Sequence, residues 1–238
     1  MLLTIQLEFF KLRRTLVWLL VLVAPILTAA MVGLIQLRQP SQTWMESYAN
    51  AAGLWGLFVL PMTVTALTAL LAQIEHQTSM WDVIFALPVA RAKVFFAKAI
   101  VAVGLTGVMS CLLIAVSFLA IWAARAMHGL ATFAPSPLGQ FALITVAMWT
   151  AAGLMTIAQL WVALRFKSFL APLCLGLAGT FVCLASMGAK EAIIVPWATP
   201  LSVMTHGGAQ LQLALAFGGV GGCLAALAMS WRLAQREF

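Results

Sequence analysis

Apolar segments long enough to cross a bilayer recur along most of the chain. They are separated by short polar stretches and lie at residues 15–36, 53–74, 94–123, 138–164, 168–188 and 210–231. A helix needs about 20 apolar residues to cross the hydrocarbon core of a membrane, and each segment is near or above that length. The pattern predicts an all-α polytopic membrane protein with six transmembrane helices, built as a single transmembrane domain over residues 1–238.

Composition agrees with a bilayer as the solvent. The chain is 64% hydrophobic and 8% charged, with a mean hydropathy of +1.07, whereas soluble domains are about 45–50% apolar and about 25% charged. The first apolar segment is longer than the 7–15 residues typical of a signal peptide and starts well inside the chain. We therefore expect it to be an uncleaved span.

The first fourteen residues form an amphipathic pattern if they are helical. Leu3, Leu7 and Phe10 recur at helical spacing, which predicts a helix lying in the membrane interface with its charged residues near the headgroups. The charged residues of this predicted interfacial helix are Glu8, Lys11, Arg13 and Arg14. The alternative is that residues 1–14 are simply the juxtamembrane start of the first span.

Basic residues indicate the orientation. With both termini in the cytoplasm, ten Lys and Arg residues fall on the cytoplasmic side and three on the outer side. The ten are Lys11, Arg13, Arg14, Arg91, Lys93, Lys98, Arg165, Lys167, Arg232 and Arg236, and the three are Arg38, Arg125 and Lys190. This bias follows the positive-inside rule. The net charge of +7 therefore predicts topology rather than nucleic-acid binding.

The spans contain few charged residues, which bears on chemistry. Ion-coupled carriers usually have ionisable side chains within the membrane, and membrane enzymes need such groups clustered at one depth. No H-E-x-x-H or C-x-x-C motif occurs, and His128 and His206 lie in separate outer loops. We therefore expect neither an enzyme nor a metal site or cofactor on this chain.

The segment between the second and third spans, residues 75–93, combines charged and large apolar residues. Trp81, Ile84 and Phe85 fall on one helical face, and Pro88 ends the predicted helix. Such a helix either lies on the membrane or docks in a groove of a partner. The candidate residues are Glu75, His76, Trp81, Asp82, Ile84, Phe85, Leu87 and Pro88.

Two further stretches are candidates for structural roles. Residues 189–208 either form a loop with Trp197 as an interfacial anchor or a re-entrant hairpin at the outer side. The candidate outer-gate residues are Lys190, Glu191, Pro196, Trp197 and Pro200. Gly218 and Gly222 form a GxxxG pattern, which lets helices approach closely either within the chain or between subunits.

The order of these features resembles the ABC-2 permease family. The resemblance covers the whole chain and rests on an N-terminal amphipathic stretch leading into a span with Pro25, on Glu75-His76 at the end of a span, on the 81–98 segment that ends with Arg91, Lys93 and Lys98, and on the Pro196-Trp197-x-x-Pro200 stretch. It is most similar to the branch that includes lantibiotic-protection and bacitracin-type permeases.

The resemblance implies a type-2 ABC exporter (type V) transmembrane fold in a bacterial cell membrane. In that fold the N-terminal helix lies on the cytoplasmic face, residues 75–93 form a coupling helix that docks on an ATPase subunit, and residues 189–208 cap the outer end. The chain has no G-x-x-x-x-G-K-[ST] motif. Mg-ATP is therefore expected on a separate ATPase chain, present in two copies, beside a second identical or homologous permease subunit.

We expect the chain to be the membrane half of an exporter for an amphipathic or lipid-associated compound, such as an antimicrobial peptide or a drug. The apolar span interiors favour such cargo. An ion-coupled carrier or channel, and a non-transporting assembly subunit, are the alternatives that the sequence leaves open.

Overall fold

The computed structural model describes residues 1–77, 90–130, 137–187 and 189–235. Within these ranges the chain forms ten α-helices and no β-strand. The helices are α1 Leu2–Lys11, α2 Val17–Arg38, α3 Trp44–Leu54, α4 Leu60–Gln77, α5 Arg91–Met127, α6 Leu138–Ala151, α7 Gly153–Arg165, α8 Leu170–Ala185, α9 Thr199–Thr205 and α10 Gly208–Ala234. The all-α prediction is confirmed for the described residues.

Four helical stretches are long and apolar enough to cross a membrane. They are Val17–Arg38, Trp44–His76, Arg91–Met127 and Gly208–Ala234, and α6 with α7 makes a fifth if the bent pair counts as one span. Helix α8 is apolar but has only 16 residues. The described part of the chain therefore supports four or five spans by length, and the predicted sixth stays a prediction.

The second span begins at Trp44 rather than at residue 53. Thr43 and Glu46 form a capping box, in which the Thr43 backbone N–H donates to Glu46 Oε2 at 2.7 Å and the Glu46 N–H donates to Thr43 Oγ1 at 3.3 Å. This motif satisfies backbone donors at a helix start. Helix α3 then continues through a π turn, Trp55–Val59, directly into α4. Hydropathy alone missed the start because polar residues interrupt the first turns of α3.

The fourth predicted span, 138–164, is broken rather than continuous. Helices α6 and α7 meet at Ala152 with a bend of about 40°. Gly153, at the start of α7, lies so close to α10 that an added Cβ would be 2.7 Å from the Gly218 carbonyl oxygen. The break therefore coincides with the closest backbone approach of α10.

Helix α5 is the longest helix of the described chain, with 37 residues, and it packs against most of the others. It packs along α2, with Ala120 against Gly33, and it contacts α1 near one end and α10 along its length. Arg91 begins α5, Arg165 ends α7 and Arg232 lies in the last turn of α10, and these three helix ends lie at the same end of the bundle. We call this the basic end, and it is the end that the sequence predicts to be cytoplasmic by the positive-inside rule.

Candidate functional site

A buried ionic cluster joins α1, α4 and α5 at the basic end. Lys98 of α5 is 1% exposed, and its Nζ donates to Glu8 Oε2 at 2.6 Å and to Glu75 Oε1 at 2.5 Å. Lys11 Nζ donates to Glu8 Oε1 at 2.6 Å and to Glu75 Oε1 at 3.1 Å. These four residues, Glu8, Lys11, Glu75 and Lys98, are the ionic cluster.

Local sequence and tertiary contacts both build the cluster. Glu8 and Lys11 are three residues apart and so share one face of α1. Lys98 lies two turns into α5, and Glu75 lies near the end of α4. Two carboxylates meet two ammonium groups, so the charges cancel inside a site where an unpaired charge would be costly.

The cluster also sets the charge state of Glu8. Burial raises the pKa of this carboxyl, but the ammonium groups of Lys98 and Lys11 attract and hydrogen-bond the carboxylate more strongly, so the pKa of Glu8 lies below its ordinary value of 4.5. Glu8 is therefore ionised at neutral pH. The second oxygen of Glu75, Oε2, is buried and has no hydrogen-bond partner within the described residues.

Helix α1 turns its apolar side chains outward, whereas a surface helix of a soluble protein turns them toward the core. It buries Glu8 against the bundle, whereas Leu2 and Leu3 are 78% and 75% exposed and Phe10 is also exposed. An outward apolar face suits contact with lipid. Arg13 and Arg14 are exposed just after the helix, and Arg13 lies over the Phe10 ring at 5.2 Å. The structure has an α-helix over Leu2–Lys11 followed by a 3₁₀ turn over Leu12–Arg14, and the assignment of residues 1–14 to an interfacial helix stays a prediction.

The predicted coupling residues are only partly described. Glu75 is fully buried in the ionic cluster, and His76 Nε2 lies 3.3 Å from the Ala163 carbonyl oxygen on α7. In this geometry both face the bundle rather than an external partner. The other six residues lie outside the described residues: Trp81, Asp82, Ile84, Phe85, Leu87 and Pro88.

Lys98 is the cluster residue that sequence reasoning missed. In the sequence, Lys98 served as one of the basic residues that set the orientation and as part of the resemblance to ABC-2 permeases, but not as a candidate site residue. Its isolated position within an otherwise apolar stretch was the available signal, since a charge flanked by apolar turns requires a partner. The identity of that partner was not visible, because Glu8 is 90 residues away in the chain.

A second constellation lies at the opposite end, where residues 195–205 cover the α6–α7 break. Trp197 and Pro200 are buried, and the Trp197 ring lies against Gly179 of α8, where an added Cβ would be 2.6 Å or less from the ring carbons. The Thr199 hydroxyl donates to the Ala151 carbonyl at 2.9 Å. We call residues 195–205 the plug.

The other predicted outer-gate residues lie beside the plug. Pro196 precedes Trp197, and its carbonyl accepts a hydrogen bond from the Thr199 hydroxyl at 2.8 Å. Lys190 and Glu191 fall in a short 3₁₀ turn, Lys190–Ile194, and their side chains lie outside the described part of the structure.

The GxxxG pair of α10 contacts the same break from another side. Both glycines are buried, and a Cβ added to Gly222 would lie 2.8 Å from the Gly153 carbonyl carbon. A Cβ on Gly218 would overlap the backbone of Ala151. Gly218 and Gly222 therefore pack within the chain, against the point where α6 ends and α7 begins.

Comparison with known proteins decides the family. A model of the ABC-2 family transporter proteins matches residues 4–183, which is most of the chain. The chain belongs to the ABC-2 transporter family. The matched region of this ABC-2 protein includes the whole ionic cluster and ends before the plug and α10. No match was found among curated proteins or among solved structures.

Membership of the ABC-2 family indicates the general role of this protein. ABC-2 proteins are the multi-pass membrane components of ABC transporters and generally act with an ABC ATPase; the permease component is not itself catalytic. The match supports the family and does not single out the lantibiotic-protection and bacitracin-type branch.

Proposed function

We propose that this chain is the permease subunit of an ABC exporter that expels an amphipathic or lipid-associated compound, such as an antimicrobial peptide or a drug. In this proposal it works in a bacterial cell membrane with both termini in the cytoplasm. It pairs with a second permease subunit and with two copies of an ATPase chain that binds Mg-ATP. The observation that carries the proposal is the ionic cluster, because of where it lies relative to the coupling segment.

The cluster holds both flanks of the proposed coupling segment, residues 75–93. Glu75 lies at its start on α4, and Lys98 follows it on α5, and these two side chains are ion-paired at 2.5 Å. Glu8 and Lys11 attach α1 to the same point. Breaking a buried ion pair by removing one partner costs about 3–5 kcal/mol. A push on the segment by an ATPase is therefore delivered to α1, α4 and α5 together.

This arrangement assigns different parts to the predicted coupling residues. In this proposal Glu75 links α4 to α5 and does not contact the ATPase itself, since its carboxylate faces Lys98 and not the exterior. The apolar face of Trp81, Ile84 and Phe85 is the part that docks on the ATPase. The proposal thus separates docking, by the apolar residues, from transmission, by the ionic cluster.

At the outer end the plug is the proposed gate. It rests on the α6–α7 break through the Thr199 hydroxyl and on α8 through Trp197. Helix α10 contacts the same break through Gly218. A movement of α7 or α10 therefore changes the surface under the plug, which is what an outlet controlled from the basic end requires.

The choice of cargo rests on the side chains buried between the described helices, among which the charged ones, Glu8, Glu75 and Lys98, are ion-paired. Lys98 is neutralised by two carboxylates, and the plug and the break are joined by hydroxyl and carbonyl groups. Such an interior favours a molecule that already partitions into lipid over a hydrated ion.

The proposal is tested by purifying the tagged chain in nanodiscs after co-expression with its genomic neighbours, including any ABC ATPase among them. A stoichiometric P-loop protein is expected to co-purify and to be lost when Trp81, Ile84 and Phe85 are replaced together by alanine. The matched control replaces three exposed apolar residues of the lipid-facing α2, Leu19, Leu22 and Ile26, and should retain the partner. A chain that purifies alone in every case would reject the ABC permease assignment.

The cargo is tested separately in cells. Deleting the chain should increase sensitivity to at least one membrane-active peptide or amphipathic drug in a broad panel, and re-expression should restore resistance. Unchanged sensitivity across the panel, with the ATPase complex intact, would reject this cargo class while leaving the permease role in place.

A further inference from the structure

A groove that belongs to neither the ionic cluster nor the plug lies between α5, the α6–α7 break and α10. Its volume is about 510 Å³. The lining comes from residues 96–104 of α5, 149–157 across the break and 219–227 of α10.

Glycines on three elements line the groove. Gly104, Gly153, Gly219 and Gly222 all line it, and a Cβ added to Gly104 would meet no atom within 4 Å. The space beside Gly104 is therefore open rather than filled by a neighbour. This differs from Gly222, whose missing side chain is needed for close packing against Gly153.

The polar atoms in the lining already have partners. The Trp149 Nε1–H donates to the Val103 carbonyl at 3.0 Å, and the Thr150 hydroxyl donates to the Val146 carbonyl at 3.0 Å. No charged side chain lines the groove within the described residues. A ligand that enters therefore meets hydrocarbon and aromatic ring surface and gains by being apolar itself.

The dimensions fit one alkyl chain. A dry apolar cavity of about 150 Å³ takes up a benzene molecule, and 510 Å³ is room for a hydrocarbon several times larger. The lining stretches of α5 and α10 each rise by about 12 Å at 1.5 Å per residue. This is somewhat less than half of the roughly 30 Å hydrocarbon thickness, so the groove has the depth of about one leaflet.

Charge at the basic end indicates what the alkyl chain is attached to. Lys93 is exposed and lies one turn before Phe96 and two turns before Ile100, on the stripe of α5 that lines the groove. Trp231 lies one turn after Leu227 of α10 and is also exposed. A lysine and a tryptophan are the side chains that sit at headgroup level, and the ammonium complements a phosphate.

We propose that this groove binds one acyl chain of a phospholipid from the leaflet at the basic end, with Lys93 next to an anionic headgroup. The bound lipid fills the space beside the break on which the plug and α10 converge. The site does not depend on which compound the protein exports, so its test reads lipid content and not transport.

The test compares two leucine substitutions by native mass spectrometry of protein released from nanodiscs of phosphatidylglycerol and phosphatidylethanolamine. Gly104→Leu fills the groove, whereas Gly139→Leu on α6 adds the same side chain at an exposed position that is equally open, outside the groove. Each methylene excluded from an apolar site changes binding about fourfold, so Gly104→Leu should retain at least about tenfold less lipid than Gly139→Leu.

Lys93→Gln distinguishes binding of the lipid acyl chain from recognition of the lipid headgroup. It should keep the acyl chain but lose the preference for phosphatidylglycerol over phosphatidylethanolamine. Equal lipid retention by Gly104→Leu and Gly139→Leu would overturn the site. A Lys93→Gln variant that keeps the wild-type preference would overturn the anionic headgroup.

The reactivity of Cys223 tests whether a second copy of the protein, rather than a lipid, occupies the groove. Its thiol lines the groove and is exposed. In a Cys111→Ser, Cys174→Ser background, a lipid-soluble maleimide should label Cys223 slowly in phospholipid nanodiscs and faster after detergent delipidation. Rapid disulfide formation between Cys223 residues of two copies on addition of copper phenanthroline and oxygen, which oxidise the two thiols, would place the groove in a subunit interface and overturn the proposal.

Discussion

Replacing Lys98 with methionine removes the buried ammonium on which Glu8 and Glu75 converge. Methionine keeps the length and flexibility of the side chain, so the main change is the charge. The cluster then holds two carboxylates and only Lys11, which is partly exposed at 20%. An uncompensated buried charge costs about 3–5 kcal/mol, and we expect Lys98→Met to lower the free energy of unfolding by that amount.

A second substitution shows that the loss is electrostatic. Adding Glu8→Gln to Lys98→Met leaves one carboxylate, Glu75, opposite Lys11 at 3.1 Å, so the charges balance again. The double variant should recover at least half of the lost stability. Lys93→Met, an exposed lysine on the same helix, is the matched control and should change stability by less than about 0.5 kcal/mol.

The assay is unfolding in mixed micelles by increasing sodium dodecyl sulfate, followed by the fluorescence of the nine tryptophans. Limited proteolysis after residue 11 reports separately on α1, which should be released in Lys98→Met and retained in the control. The reasoning is refuted if Lys98→Met matches Lys93→Met. It is also refuted if the double variant is less stable than Lys98→Met alone.

Three further predictions follow from the same contacts. Gly218→Ala should lower the free energy of unfolding by about 1–3 kcal/mol because its Cβ would overlap Ala151. Gly221→Ala, whose Cβ meets Leu154 at an ordinary 3.6 Å, should be neutral or stabilising in the same unfolding assay. Equal effects of the two substitutions would contradict the packing of Gly218 against Ala151. Trp197→Ala should cost about 3–5 kcal/mol, but Trp197→Phe much less because the Trp197 indole nitrogen has no partner among the described residues; a large loss in Trp197→Phe would show otherwise. The stability difference between wild type and Glu8→Gln should be constant from neutral pH down to about 4.5 and should disappear at lower pH. Folding lowers the pKa of Glu8, so the stability that the Glu8 carboxylate contributes is lost as the pH falls through the folded-state pKa. A stability difference that fades between pH 7 and 6 would contradict this.

The helices could be predicted largely from local pattern, and the exceptions have physical causes. Hydropathy located α2, α5, α8 and α10 to within a few residues. It placed the start of the second span too late because the first turns of α3 are polar. Thr43 and Glu46 did carry the start signal, since T-x-x-E is a capping-box pattern.

The break at Ala152 was not predictable in the same way. The sequence around it has no charged residue and no proline to mark the bend. Its surroundings come from elsewhere in the chain: Gly218 of α10 and the Thr199 hydroxyl of the plug. Local pattern reports helix formation, whereas this bend is associated with tertiary contacts.

The candidate site shows the same division. The sequence predicted a charged N-terminal helix with Glu8 and Lys11, and it singled out Glu75. It did not predict that these residues meet at Lys98, because the contact joins side chains that are 90 and 23 residues from Lys98. The structure adds that the Glu75 carboxylate is buried against Lys98, while its predicted part in coupling stays a prediction.

The most direct test of the account is the ATPase activity of the reconstituted complex in nanodiscs, measured with wild-type permease and with Lys98→Met, with and without a membrane-active peptide to which the cells are resistant. The account predicts that both permeases bind the ATPase equally in pull-down. Peptide should stimulate ATP hydrolysis with the wild type and fail to do so with Lys98→Met. Full stimulation with Lys98→Met, at equal ATPase occupancy, would contradict the claim that the ionic cluster connects the coupling segment to the spans.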